Sequence, residues 1–228
     1  METIGNESKA KRFGKAAIDI VSFAALAVII ITIISVPFAT VLLKLGKEEA
    51  DTMSYFILSE TLMLAGVFLS AWIVWHLRGF SLEGLGRSFT MRWKDWLSGI
   101  LLATVLYAVG FGISLWAGAV EIAGVAFNPS SLLISLVFFL LVAVTEELAL
   151  RGFVLERLLQ SGVNKFCALF LSAALFSLIH IGNPNFDFLS FINILLAGIL
   201  LGSSYIYTRN LCFPIALHLS LIHISEPT

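Results

Sequence analysis

The sequence predicts an all-α protein, a multi-pass transmembrane helical bundle of about seven spans with the last one truncated. Three observations carry that expectation. The 228 residues are 59% hydrophobic and 13% charged, with a mean hydropathy of +0.97, whereas a soluble domain is typically about 25% charged. The apolar residues fall into runs of about 20 or more, the length that crosses about 30 Å of hydrocarbon. The basic residues recur on alternate connections, as they do when Lys and Arg gather on the cytoplasmic face.

Taken in order, Met1 to Lys15 is a polar N-terminal tail with Lys9, Lys11, Arg12 and Lys15 just ahead of the membrane. Ala16 to Leu43 is longer than a signal-peptide core and is followed by no small-residue cleavage site, so it reads as the first span. Spans are expected at 17–43, 55–77, 96–119, 131–157, 164–181 and 188–208, with a last one starting near 211. The 78–95 connection, with Arg78, Arg87, Arg92, Lys94, Trp93 and Trp96, reads as an interfacial loop anchored by aromatics. It falls on the same side as the N-terminus, Arg157, Lys165 and Arg209. The 120–130 and 182–187 connections carry no Lys or Arg, and 44–54 balances Lys44 and Lys47 with Glu48, Glu49 and Asp51. The expectation is a cell-membrane protein with a cytoplasmic N-terminus. No linker divides the chain, so residues 16–218 read as one membrane-embedded domain with its core motifs in 131–218.

Composition excludes several classes. A net charge of −1 leaves no basic stripe for a nucleic-acid partner. Cys167 and Cys212 both lie in apolar runs, which argues against a disulfide framework or a thiolate metal site. No nucleotide loop, EF-hand or HExxH pattern occurs. The partners that remain are the lipid bilayer and a peptide or protein substrate at the membrane.

Polar residues inside apolar spans are the informative ones, because a charge at the bilayer centre costs roughly 2.5–3.5 kcal/mol on insertion scales. Three sets stand out: Glu146, Glu147 and Arg151; Phe176 and His180; and His218 after Pro214. Counting from Arg157, Lys165 and Arg209 at about 1.5 Å per residue places Glu146 about 16 Å, His180 about 22 Å and His218 about 14 Å deep. Glu147 and Arg151, at i and i+4, suit an ion pair. Adjacent helical residues point about 100° apart, so Glu146 and Glu147 are not expected to serve one partner equally. Glu146 is then the spare carboxylate. A carboxyl shielded from water suits a general base that must hold and release a proton near neutral pH. His180 and His218 can share a water with it or donate to an oxyanion, which makes amide hydrolysis by an activated water the reaction class. Thr145 and Ser177 lie nearby without being positioned as nucleophiles. Each part also has a structural reading: Glu147–Arg151 as an ion pair only, His180 as an interfacial histidine, Asn185 and Asp187 as a solvated loop turned by Pro184. Asn193 is read as a cross-helix hydrogen-bonding residue.

With these residues in place, the chain resembles the CPBP (CAAX protease and bacteriocin-processing) intramembrane endopeptidases, also called the Abi or type II CAAX prenyl protease family. That family's motifs are EExxxR, FxxxH and HxxxN on successive helices. Glu146 to Arg151 matches the first, Phe176 to His180 the second, and His218 begins the third; the resemblance covers roughly residues 80–218. It implies that Glu146 activates water with His180, that His218 helps to hold the oxyanion, and that Glu147 and Arg151 shape the site. The family has been described as metalloproteases, which would make Glu146, His180 and His218 the ligands of a divalent metal such as zinc; the same set also reads as metal-free. Ile222 stands where the family has Asn. Peptide or bacteriocin maturation and self-immunity are the roles implied. The alternatives are a non-catalytic membrane scaffold or immunity partner, and a small proton-coupled transporter using Glu146 and His180. A transporter would more often show an internal repeat, and none is present.

The last ten residues, LSLIHISEPT, read as a translated sequencing adapter, so 219–228 is expected to be an artefact, with His223 outside the site. Resequencing the locus past the codon for His218 checks this. The expectation is a different genomic frame; an unbroken frame encoding SEPT would overturn it.

Overall fold

The structure, a computed structural model, describes residues 8–44, 53–80, 92–124, 128–184 and 186–225, with side chains described for 8–40, 55–80, 92–124, 128–184 and 186–222. Most of the 78–95 connection, Asn185 and the side chain of His223 therefore lie outside the described residues.

Among the described residues the chain forms seven helices and no strand: α1 Lys9–Lys44, α2 Met53–Arg78, α3 Trp93–Trp116, α4 Pro129–Gln160, α5 Lys165–Ile179, α6 Phe188–Thr208 and α7 Cys212–Ser225. Five of them, α1 to α4 and α6, are long and apolar enough to cross a bilayer; α5 and α7 are shorter apolar helices. The chain is an integral membrane protein. Helix ends follow local chemistry. Asn128 caps α4 by accepting from the amides of Ser130 and Ser131, with Pro129 in the first turn, where its missing N–H costs nothing. Asn164 caps α5 through the Phe166 amide. Asp187 caps α6, and the Ser190 amide and hydroxyl that bond it hold its carboxyl below the usual carboxylate range.

Two boundaries differ from the sequence expectation for physical reasons. α1 begins at Lys9, because basic residues end an apolar run without ending a helix. α5 has 15 residues, about 22 Å, which is short of the hydrocarbon thickness. A helix that starts at Lys165 on the basic side therefore stops part-way through, and His180 is the residue at its end.

Polarity is inverted relative to a soluble protein. Leu97, Leu101, Val105 and Val109 on α3 are exposed, while Asp19, Glu60, Glu147, Arg151, Glu156, Asn210 and His218 are buried. With lipid as solvent, packing rests on close approach and polar pairing rather than on hydrophobic exclusion. Gly99 illustrates the first: a Cβ there would sit 2.7 Å from the Phe213 carbonyl oxygen and 2.9 Å from the Ala216 Cβ, so α3 can lie against α7 only with glycine at this point.

The second is a polar network at one end of the bundle. Buried Asp19 of α1 accepts from Arg78 Nε of α2 at 2.6 Å and from Arg157 Nη2 of α4 at 2.5 Å. Arg157 also donates to Gln160 and lies 4.2 Å above the Phe80 ring. Gln160 donates to Glu156, whose other oxygen accepts from Tyr205 and Arg209 of α6. Arg92 at the start of α3 donates to the Thr208 carbonyl. Residues assigned to one membrane face from their charge thus meet at one end of the bundle.

Asp19→Ala leaves Arg157 nearly buried without its carboxylate, and breaking a buried pair costs about 3 kcal/mol or more. The expected outcome is a lower unfolding midpoint in a detergent–SDS titration. A parental midpoint would mean that Asp19 does not hold α1 and α2 to α4.

Candidate active site

The site is assembled by a break in helical regularity. α4 is α-helical over Pro129–Glu147, π-helical over Leu148–Leu155 and α-helical again over Glu156–Gln160. π segments are rare and frequent at functional sites. This one carries Arg151, and the Leu150 carbonyl within it accepts from the Ser172 hydroxyl of α5 at 3.2 Å.

Glu147 is fully buried and pairs with the fully buried Arg151 at 2.7 Å. Arg151 has two further supports: Nη2 donates to the Gly198 carbonyl of α6 at 3.2 Å, and its guanidinium lies 4.5 Å from the centre of the Phe176 ring. Gly198 is small of necessity, since a Cβ there would come 3.0 Å from Ala173 Cα and 3.2 Å from Phe176 Cδ1. The same Glu147 oxygen that meets Arg151 also faces His218 Nδ1 of α7 at 3.0 Å. A carboxylate only accepts, so Nδ1 carries a proton, and Nε2 is the nitrogen turned toward Glu146.

His180 is fixed in the same way by a different acceptor. Its Nδ1 lies 2.7 Å from the Phe176 carbonyl, one turn back, so Nδ1 again holds the proton. The backbone of His180, with φ −89° and ψ 0°, lies in the sparsely populated bridge region common among active-site residues. Phe176 therefore serves three neighbours. Its carbonyl orients His180, its face supports Arg151, and its ring meets His180 and His218 edge-on at centroid distances of 4.8 and 5.7 Å.

Glu146 completes the arrangement. Oε1 is 3.7 Å from His180 Nε2 and Oε2 is 3.6 Å from His218 Nε2. These separations are too long for direct hydrogen bonds and suit a small bridging donor such as water. Glu146 and His180 line a cavity of about 360 Å³ together with Thr145, Met63 and Asn183. Ile31 and Val67 add apolar wall from α1 and α2.

The structure thus brings together all five residues singled out from the sequence: Glu146, Glu147, Arg151, His180 and His218. Glu146 and Glu147 face the same ring but unequally, as expected: Glu147 bonds His218 Nδ1 at 3.0 Å, while Glu146 lies 3.6 Å from Nε2. The neighbours take other roles. Ser177 donates to the Phe191 carbonyl, Thr145 donates to the Leu141 carbonyl, and Asn193 is exposed rather than bonded across helices. Ile222 is half-buried on α7 one turn after His218. Among the described residues no three His, Cys, Asp or Glu side chains are arranged to hold a metal ion, so no ligand role is assigned to Glu146, His180 or His218. One buried residue facing the site was not anticipated. Glu60 of α2 faces Thr145 and Glu146; a lone acid within an apolar run was the signal that pointed to it.

Arg151→Leu would strand the Glu147 charge and is expected to lower stability by about 4 kcal/mol. Adding Glu147→Leu should recover much of that loss, since replacing a whole buried pair by apolar residues is often neutral. Detergent unfolding of both variants checks this, and additive losses would contradict it. In comparison with known proteins, residues 128–221 match the family described as Type II CAAX prenyl endopeptidase Rce1-like. The match begins at the cap of α4 and takes in the first two motifs and His218 of the third, but not the 80–127 stretch included in the resemblance. No curated protein and no solved structure matches the chain. By that match residues 128–221 are similar to the Rce1-like, type II CAAX prenyl endopeptidase family, a family of membrane proteases.

Proposed function

We propose that this protein is an intramembrane endopeptidase that hydrolyses peptide bonds with a water activated by Glu146 and His180. One observation carries the reading. The Glu146 carboxylate faces two imidazole Nε2 atoms at 3.6 and 3.7 Å, and each ring has its Nδ1 proton committed elsewhere. The carboxylate and both Nε2 atoms thus face one small space at separations that suit a bridging water.

In the proposed reaction Glu146 takes a proton from that water as the oxygen adds to the scissile carbonyl. His218, when it carries a proton on Nε2, supports the resulting oxyanion, while Glu147 holds its ring in place. Glu146 then gives its proton to the departing amine, which leaves as the C–N bond breaks. Water and amide are consumed, and acid and amine are formed. Arg151 balances the Glu147 charge and touches no reacting atom, so both are positioning residues.

The cavity walls from α1 and α2 suit an apolar stretch of peptide. Residues 16–218 would form the protease domain, in a cell membrane with the N-terminus cytoplasmic. Peptide or bacteriocin maturation and self-immunity are the roles that fit such an enzyme. A second reading keeps the fold as a non-catalytic scaffold or immunity partner; Ile222, inside the expected artefact 219–228, carries no weight in it.

Cleavage of a fluorogenic CAAX-ended peptide, farnesylated and unmodified, by the reconstituted protein separates the two. Glu146→Gln should lower kcat by about 10²- to 10⁴-fold without loss of fold. Parental turnover in that variant would exclude the proposed base, and absence of turnover in the parent would favour the scaffold.

A further inference from the structure

Asn193 is a polar residue that neither the bundle core nor the catalytic arrangement uses. It lies on α6, whose 21 residues span about 31 Å, the thickness of the hydrocarbon. Counted from the cap Asp187, Asn193 sits about 9 Å inside that span, and Ser203 about 15 Å deeper.

Both belong to one stripe. Leu189, Asn193, Leu196, Leu200, Ser203 and Tyr207 recur at alternating spacings of four and three, the period of a helix that packs lengthwise along a partner helix. At about 100° per residue the stripe is centred about 180° from Gly198, Leu201, Gly202 and Tyr205, the residues that α6 buries in the bundle. The stripe therefore points straight out of the molecule. Leu189, Leu196 and Tyr207 are 65%, 58% and 82% exposed, and Asn193 is exposed beside them. Neither the Asn193 amide nor the Ser203 hydroxyl has a hydrogen bond among the described residues.

Hydrocarbon supplies neither donors nor acceptors, so an amide that faces it unpaired is costly. A purely apolar partner helix would leave that cost in place. The occupant of this face must present groups that donate and accept at two depths, those of Asn193 and Ser203. A second copy inserted with the same topology meets both conditions at once. Its two-fold axis runs along the membrane normal, so the two α6 helices lie parallel and each residue meets its counterpart at the same depth. An amide carries both a donor and an acceptor, as does a hydroxyl, so each is complementary to itself. Beside the stripe, Ser203 and Tyr207 border a shallow groove with Phe166 and Leu169 of α5, which leaves room near the axis for a bulky ring.

We infer that α6 is the interface of a parallel homodimer in the membrane, with Asn193 bonded to its counterpart in a second copy. The inference does not depend on what the protein cleaves.

Single-molecule photobleaching of the full chain in lipid vesicles, over a range of protein-to-lipid ratios, tests the state. The parent should pass from one-step to two-step bleaching as the ratio rises. Asn193→Leu, similar in volume and facing lipid, should keep the parental unfolding midpoint and weaken the dimer about 3- to 30-fold. One-step bleaching of the parent at every ratio, or an unchanged dimer affinity in Asn193→Leu, would overturn the inference. Oxidative cross-linking locates the surface. In a Cys167→Ala, Cys212→Ala background, Leu196→Cys should give a disulfide-linked dimer, and Leu101→Cys on α3 should not. Cross-linking at position 196 no greater than at position 101 would overturn it. If Asn193→Leu does not fold, the cross-linking result decides.

Discussion

A single buried carboxylate, Glu147, holds the site together. Its Oε1 meets Arg151 at 2.7 Å and His218 at 3.0 Å. A carboxylate removed from water is very costly unless paired and bonded, so α4 and α7 are obliged to bring these two groups to it. Arg151 extends the obligation, because its remaining donors and its flat face need partners too. It finds them in Gly198 of α6 and Phe176 of α5. Four helices are thereby fixed around one charge, and the position of Glu146 follows from being its neighbour in the chain.

Two features of the fold make room for this. The π segment of α4 supplies Arg151 and opens the Leu150 carbonyl to α5. The short α5 ends inside the bundle and leaves His180 at its last turn, rather than at the far membrane face. Two to three turns further on, at the C-terminal end of α4, a second polar network built on Asp19 and Glu156 ties α1, α2 and α6 to the same helix. α1 and α2 lie outside the residues that match the protease family, yet they contribute Ile31, Met63 and Val67 to the cavity wall. The polar end network is what holds those walls against the catalytic helices.

Much of this was legible in the sequence. Apolar run lengths and the alternation of basic residues gave the helices and their order, since the bilayer imposes both. The i, i+4 spacing of Glu147 and Arg151 and the depths of His180 and His218 pointed to one site. What stayed hidden depends on side-chain reach or on backbone detail. Nothing in LALRGFVL distinguishes a π segment from an α-helix. The 100° separation of Glu146 and Glu147 pointed to unequal service of one partner, but not to a single imidazole whose two nitrogens face both carboxylates. Glu60 and Asp19 passed unremarked because each is a lone acid with no partner nearby in sequence; their partners, Thr145, Glu146, Arg78 and Arg157, are 59 or more residues away. An ionisable residue within a span was nevertheless as strong a signal there as at Glu146.

The central claim is that Glu146, His180 and His218 surround one small molecule. A density map of the reconstituted protein, at a resolution that shows ordered water, tests it most directly. The account predicts a water within hydrogen-bond distance of the Glu146 carboxylate and of both Nε2 atoms. Imidazoles turned away from Glu146, with no position that all three groups can reach, would contradict it.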